Sequence, residues 1–358
     1  MTASSEPELP QPVSAYTHRK HRPARSVLGL GTSHSTHSAP GSSTLALLTQ
    51  RARTTNLAVL LLAAVASVSV LVNIRVWLGN DVFRPPGDYN ELVPPSIRTT
   101  LQSPHHNLKH LVLVAGHAIW QGCDASEATK DDDWILEEMQ RGGAVRTYLK
   151  HIVKGAEIAV RDPEALLIFS GGQTRPTSDL TEGQSYARLA KLGNLYQQFM
   201  SDDERRSIVS AGGDFDRVTT ENFALDSMEN VLFSIARFKE FTGHYPTFIT
   251  VVGYGMKHRR FTDVHRAAVR WPLSAWKYVG IDNEGDTAGD YAGERKYGLE
   301  PFLADTYGCH GGLLAKRRKR NPYRRVHGYH SSAPELRRLM EYCPASGTAL
   351  FKGALPWD

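Results

Sequence analysis

Hydrophobic positions are unevenly spread along this chain, and they cluster in two forms. The first is one long run, TTNLAVLLLAAVASVSVLVNI from Thr54 to Ile74, 21 residues without a charge between Arg51 and Arg53 on one side and Arg75 on the other. That length spans the hydrocarbon core of a bilayer. A signal peptide cut at Ala64-Val65-Ala66 is one alternative, but its basic preamble would be 53 residues long and apolar chain would continue past the cut. A buried core helix is the other, yet a segment apolar all round, set between a polar tail and a Pro-rich stretch, has little to pack against. The run predicts one transmembrane helix over 54–75.

The second form is short. HLVLVAG (110–116), ALLIFSGG (165–172) and TFITVVGYG (247–255) each stop at glycine and lead into a segment of helical periodicity. Continuous apolar runs of this length suit parallel strands covered on both faces. Weaker strands are predicted at Ile208–Ala211 and Trp276–Ile281. Strands alternating with helices predict an α/β domain over 107–358, a Rossmann-like three-layer fold with a mostly parallel sheet. Ligands of such sheets bind outside the carboxyl ends of the strands.

Composition divides the rest. Residues 1–53, rich in Ser, Thr, Pro and His, predict a disordered basic tail. Residues 76–106, with Pro85, Pro86, Pro94, Pro95 and Pro104, predict a stiff linker. Residues 284–330 read as a basic irregular segment, and Lys316-Arg317-Arg318-Lys319-Arg320 as a solvated loop within it.

The strand ends carry the candidate chemistry. Ser170-Gly171-Gly172 lacks both the GxGxxG spacing of a dinucleotide site and the GKS or GKT ending of a P-loop. Gly171 and Gly172 are read as a tight turn that lets a ligand approach the backbone. Thr181 and Gln184 have capping-box spacing, which puts Glu182 in a first helical turn, where a carboxylate is favoured. In VTTENFALDSMENVLFSIARFKEF, Leu225, Met228, Leu232 and Ile235 form the stripe facing the sheet. Asn222, Asp226 and Asn230 form the opposite line, read as a solvated face, while Thr220, Glu221 and Asn222 occupy the helix mouth. In GYGMKHRRFTDVHRAAVRW, Lys257, His258, Arg259 and Arg260 fall in a first turn above the buried stripe Phe261, Val264, Ala268 and Trp271. Cations there oppose the macrodipole, and a bound anion would turn them and the free backbone N–H groups into one receptor. Exposed solubilising charge is the alternative.

Charge places these features. Six Lys or Arg against Glu6 and Glu8 give the tail +4 of the formal +5, so the folded part is near neutral and no nucleic-acid partner is expected. The basic tail predicts a cytosolic N-terminus, although Arg75 and Arg84 beyond the span match Arg51 and Arg53 before it. The expected location is a single-pass protein of the Golgi or endoplasmic reticulum. Cys123, Cys309 and Cys343 allow three pairings, Cys309 with Cys343 among them, and no Asn-x-Ser/Thr sequon occurs. Neither HExxH nor paired CxxC spacing is present, so no metal is predicted, and the cofactor stays open.

Ser170-Gly171-Gly172, Thr181-Glu182, Thr220-Glu221-Asn222 and the Lys257-to-Arg260 element together resemble the family called domain of unknown function 218, with its SanA-like and YdcF-like bacterial envelope proteins. The similarity covers about residues 108–282, and DTYGCHGGLLAKRRKRNPYRRVHGY with the terminal LPWD is similar to a fungal membrane-anchored branch. Lys257 stands where that family has His, Arg260 matches its Arg, and Ala115-Gly116-His117 replaces a Gly-rich turn. The resemblance implies a Rossmann-like fold with a small-molecule site.

Two function classes follow. One is a transferase or hydrolase acting on a phosphorylated, nucleotide-linked or lipid-linked substrate, with Glu182 or Glu221 as general base. In this reading Gly116, His117, Gly171, Gly172, Thr220, Asn222, Lys257 and Arg260 line an anionic ligand. The other is a non-catalytic protein that binds or senses such a ligand.

Overall fold

A computed structural model describes residues 53–79, 97, 100, 104–210 and 213–358. The tail expected over 1–53 and most of the linker expected over 76–106 lie outside the described residues. The chain divides into two units, 1–80 and 81–358.

The described part of the first unit is helix α1, Arg53–Gly79. Its stretch Ala58–Arg75 has a mean hydropathy of 2.1, which makes it long and apolar enough to cross a membrane.

The second unit is an α/β layer structure. Five strands, β1 (His110–Ala115), β4 (Ala165–Ser170), β5 (Val218–Glu221), β6 (Phe248–Gly253) and β7 (Trp276–Gly280), form one sheet in the order β5-β4-β1-β6-β7. Every neighbouring pair is parallel. A two-stranded antiparallel ribbon, β2 (Ile119–Trp120) with β3 (Trp134–Ile135), stands apart from it.

Alternation along each strand divides the core. Val112, Val114, Leu167 and Phe169 face helices α2 (Ala144–Arg161) and α3 (Glu182–Leu192). Leu111, Leu113, Leu166 and Ile168 face Phe261 and Val264 and helix α5 (Ser227–Thr242). Both faces are covered, which is why the strands read as unbroken apolar runs. The chain leaves the central strand β1 toward β4 and β5, then crosses back to β6 on its other side. Beside β1 the strand order therefore reverses, and the carboxyl ends of β1, β4 and β6 lie side by side, the place where sheets of this kind bind ligands.

Three expectations require correction. Of the segment expected as a strand at Ile208–Ala211, Ala211 lies outside the described residues and Ile208 to Ser210 belong to helix α4, Asp202–Ser210, which begins Asp202-Asp203-Glu204, three carboxylates favoured at a helix start. The edge strand is instead Val218–Glu221, so Thr220 and Glu221 end a strand and Asn222 follows it. The mouth of α5 lies further on, where Asp226 caps the helix by accepting from the N–H groups of Met228 and Glu229. Much of the stretch near 284–330 is helical rather than irregular: it includes helices α6 (Ala288–Glu294) and α7 (Gly311–Arg320), and the run Lys316–Arg320 forms the end of α7.

Candidate functional site

Glu182 reaches the ends of β1 and β4 from the first turn of α3. Thr181 accepts from the N–H of Gln184, and the Gln184 side chain accepts from the N–H of Thr181, closing the expected capping box. The Glu182 carboxylate accepts from the Thr174 hydroxyl (2.6 Å). A Cβ at Gly116 or at Gly171 would fall 2.7 Å from the Cβ of Glu182. A Cβ at Gly172 would fall 2.7 Å from the carbonyl oxygen of Ala224. The space over these glycines is filled by protein, so they seat Glu182 and the loop after β5 rather than admit a ligand to the backbone.

Glu221 is fully buried. Its carboxylate accepts from the Ser170 hydroxyl (2.7 Å), the N–H groups of Phe223 (2.7 Å) and Ala224 (3.2 Å) and the Tyr329 hydroxyl (3.2 Å). Burial pushes its pKa up while these donors pull it down. A carboxylate holding four donors is a structural clasp between β4, β5 and the C-terminal segment. The general-base role expected for it is withdrawn on that ground. Asn222 accepts from the Thr181 hydroxyl (2.7 Å) and donates to the Thr220 hydroxyl (2.9 Å), tying β5 to the start of α3.

The line Asn222, Asp226, Asn230 is not a solvated face. Asp226 and Asn230 are buried. Arg317, from the basic run, donates through Nε to Asp226 (2.6 Å) and through Nη2 to the carbonyl of Tyr307 (2.7 Å), and lies 3.2 Å from Glu229. The Asn230 carboxamide lies 2.9 Å from the Ser170 hydroxyl.

The third helix start divides its four cations. His258 and Arg259 are exposed, Arg260 is buried and Lys257 is half-buried. The residues open as a short 3-10 turn, Gly255–Lys257, followed by a wide turn over Arg260–His265. Lys257 Nζ lies 3.4 Å from His117 Nδ1 and 5.1 Å from the centre of the Tyr254 ring. Burial, with Arg260 close by, brings its pKa down to about 7. His117, stacked on Tyr254 at 5.2 Å, is kept well below the ordinary histidine range by burial and by Lys257. Its Nε2 is buried without a protein partner.

Arg260 is not an exposed solubilising charge. Its Nε lies 3.0 Å from the Glu294 carboxylate, and the two side chains are 10% and 9% exposed. Glu294 and Thr174 are parts of this region that the sequence did not single out, and Arg320 reaches it from the basic run expected as a solvated loop. Arg320 donates to the carbonyl of Leu225 (2.9 Å) and adds its charge to the field around Lys257 and Arg260.

Among the described residues, Cys309, His310 and Cys343 bring metal-ligand types together, within 4.8 Å of one another. The two sulfurs are joined in a disulfide, which leaves one imidazole. Cys123 is free and exposed. Two open depressions of about 430 and 630 Å³ flank it, away from the strand ends. Depth alone does not mark the site: the strand ends gather the buried titratable groups, and these depressions do not.

With that geometry in place, likeness to other proteins adds the following. The chain is 30% identical over 267 residues to the uncharacterized protein YOR238W of Saccharomyces cerevisiae, a match taking in 61% of this chain and 86% of that protein. The chain belongs to the family of that yeast protein. No family model matches it, and no solved structure matches it.

Proposed function

We propose that this member of the family is a single-pass membrane protein whose α/β domain binds an anionic small molecule, phosphorylated or nucleotide-type, and acts on it as a transferase or hydrolase. The observation that carries this reading is the meeting of Glu182, His117, Lys257 and Arg260 at the carboxyl ends of β1, β4 and β6, beside the strand-order reversal. The resemblance to domain of unknown function 218 supports a small-molecule site in the same place. Glu182 takes the proton of an attacking water or hydroxyl. Lys257 and Arg260 stabilise the charge that develops on the transferred group. An amine with a pKa of about 7 both holds an anion and donates a proton to a departing oxygen near neutral pH.

A binding protein without turnover is the second reading. It is favoured by the loss of Glu221 as a candidate base, which leaves Glu182 as the remaining carboxylate proposed for that role. Glu182→Gln separates the two: turnover lost by two orders of magnitude or more (~10²–10⁴ for a general base) supports the enzyme, whereas altered affinity alone supports the binder. Thermal shift of the full chain against phosphate, nucleotides, sugar nucleotides and S-adenosylmethionine identifies the ligand class.

The tail's basic charge and the Cys309–Cys343 disulfide support a folded domain in the lumen of the Golgi or endoplasmic reticulum and a cytosolic N-terminus. Protection of residues 106–358 from protease in sealed microsomes is the expected result. Digestion there reverses the orientation.

A further inference from the structure

The ion pair between Arg260 and Glu294 differs in kind from the other buried pair in this region. Arg317 donates a hydrogen bond of 2.6 Å to Asp226, a second to the Tyr307 carbonyl, and sits against Glu229. Arg260 Nε and Glu294 Oε1 lie 3.0 Å apart without hydrogen-bond alignment, and neither atom has another hydrogen-bond partner. The first pair is locked, and the second is held by charge alone.

The element that delivers Glu294 buries nothing of its own, and its anchorage lies beyond it, at Leu299 and Phe302. Helix α6, Ala288–Glu294, has no buried residue, yet the Glu294 side chain is only 9% exposed. Its neighbours in charge are Arg260, Lys257 and Lys316. Gly298 clears the way for it, since a Cβ there would fall 2.5 Å from the carboxylate. Hydrogen bonds join the middle of α6 to the preceding loop, Asn283 to Asp290 (3.0 Å) and Tyr291 to Asp282 (2.9 Å).

We propose that Glu294 occupies, in the ligand-free chain, the place taken by the ligand's anionic group, so that α6 is a latch the ligand displaces. The inference rests on the anion-binding reading above and narrows the ligand to one bearing a phosphoryl group. A carboxylate brings one negative charge to three basic groups, Arg260, Lys257 and Lys316. A phosphate monoester brings about −1.5 to −2 and three acceptor oxygens, enough to satisfy the donors that Glu294 leaves unaligned.

The test uses the full chain in detergent micelles, with inorganic phosphate and pyrophosphate as probes in calorimetric titration. Glu294→Gln should bind at least tenfold more tightly than wild type, and hydrogen exchange over 281–299 in wild type should quicken when phosphate saturates it. Equal or weaker binding by Glu294→Gln, or exchange that does not change, overturns the latch. If wild type binds, Lys257→Met does not, and Glu294→Gln equals wild type, the latch alone fails. If neither wild type nor Glu294→Gln binds either probe, the anion site fails and takes the latch with it. Should Glu294→Gln not fold, Glu294→Asp, which withdraws the carboxylate by one methylene, must show the same tightening.

Discussion

The side chain of Glu182 lies across the backbone of Gly171, so that a Cβ built on Gly171 falls 2.7 Å from both the Cβ and Oε2 of Glu182. Two segments eleven positions apart in sequence thus share one small volume, and the glycine is the reason the carboxylate can lie over the strand end. Gly171→Ala must push Glu182 outward. The expected cost is ~1–3 kcal/mol of stability, the scale of overpacking, together with loss of ligand binding. Urea denaturation and ligand titration of the same variant check both.

Lys257 gives the pH-dependent prediction. Its amine titrates at about 7 in the folded chain and at about 10.4 in an unfolded one. Between those values the folded state binds fewer protons, so the destabilisation due to this group is full below the lower value and is relieved as pH rises toward the upper one. Lys257→Met removes the buried charge and should be neutral or more stable by ~1–4 kcal/mol near neutral pH, with a flatter melting temperature from pH 7 upward, while losing anion binding. Parallel melting curves across that range, with and without phosphate, decide it.

Two neighbours in the basic run should behave oppositely. Arg317→Ala leaves Asp226 and Glu229 buried without their cation and should cost ~3–5 kcal/mol. Arg318 is exposed, and its alanine variant should stay within about ±0.5 kcal/mol of wild type. Equal effects at the two positions would show that α7 is not packed as described.

The Cys309–Cys343 bridge closes a separation of 34 residues and fastens the chain after Tyr342 to the start of α7. Cys309→Ser should lower stability by ~2–4 kcal/mol. A reducing agent should bring wild type down to the level of the variant and leave the variant where it is, as read by melting temperature.

What the sequence disclosed was local. The glycine-terminated runs, the capping box at Thr181 and Gln184, and the stripe Phe261, Val264, Ala268 and Trp271 all depend on neighbours within a few positions, and all stand as expected. Asp226 was read as solvent-facing because its partner Arg317 is 91 positions away. Exposed charge stays open as a reading of Arg260 in the sequence because its partner Glu294 belongs to no periodic pattern. The edge strand was missed for a different reason: Thr220-Glu221-Asn222 carries the residue types of a helix start, and only pairing with β4 shows that Val218–Glu221 is extended. Asp202-Asp203-Glu204, by contrast, was a legible helix start passed over for the apolar residues after it.

The hydroxyl that completes the Glu221 clasp belongs to Tyr329, 108 positions later in the chain, and Arg270 finds its carboxylate on Asp358, 88 positions later. During synthesis the strands β1, β4, β5 and β6 therefore emerge long before the groups that finish their carboxyl edge. A nascent chain that stalls before Tyr329 has a sheet but carries Glu221 with one of its donors missing and Arg270 without the Asp358 side chain. A chain interrupted between β7 and Tyr329, which keeps every strand of the sheet, is then expected to be cleared by quality control.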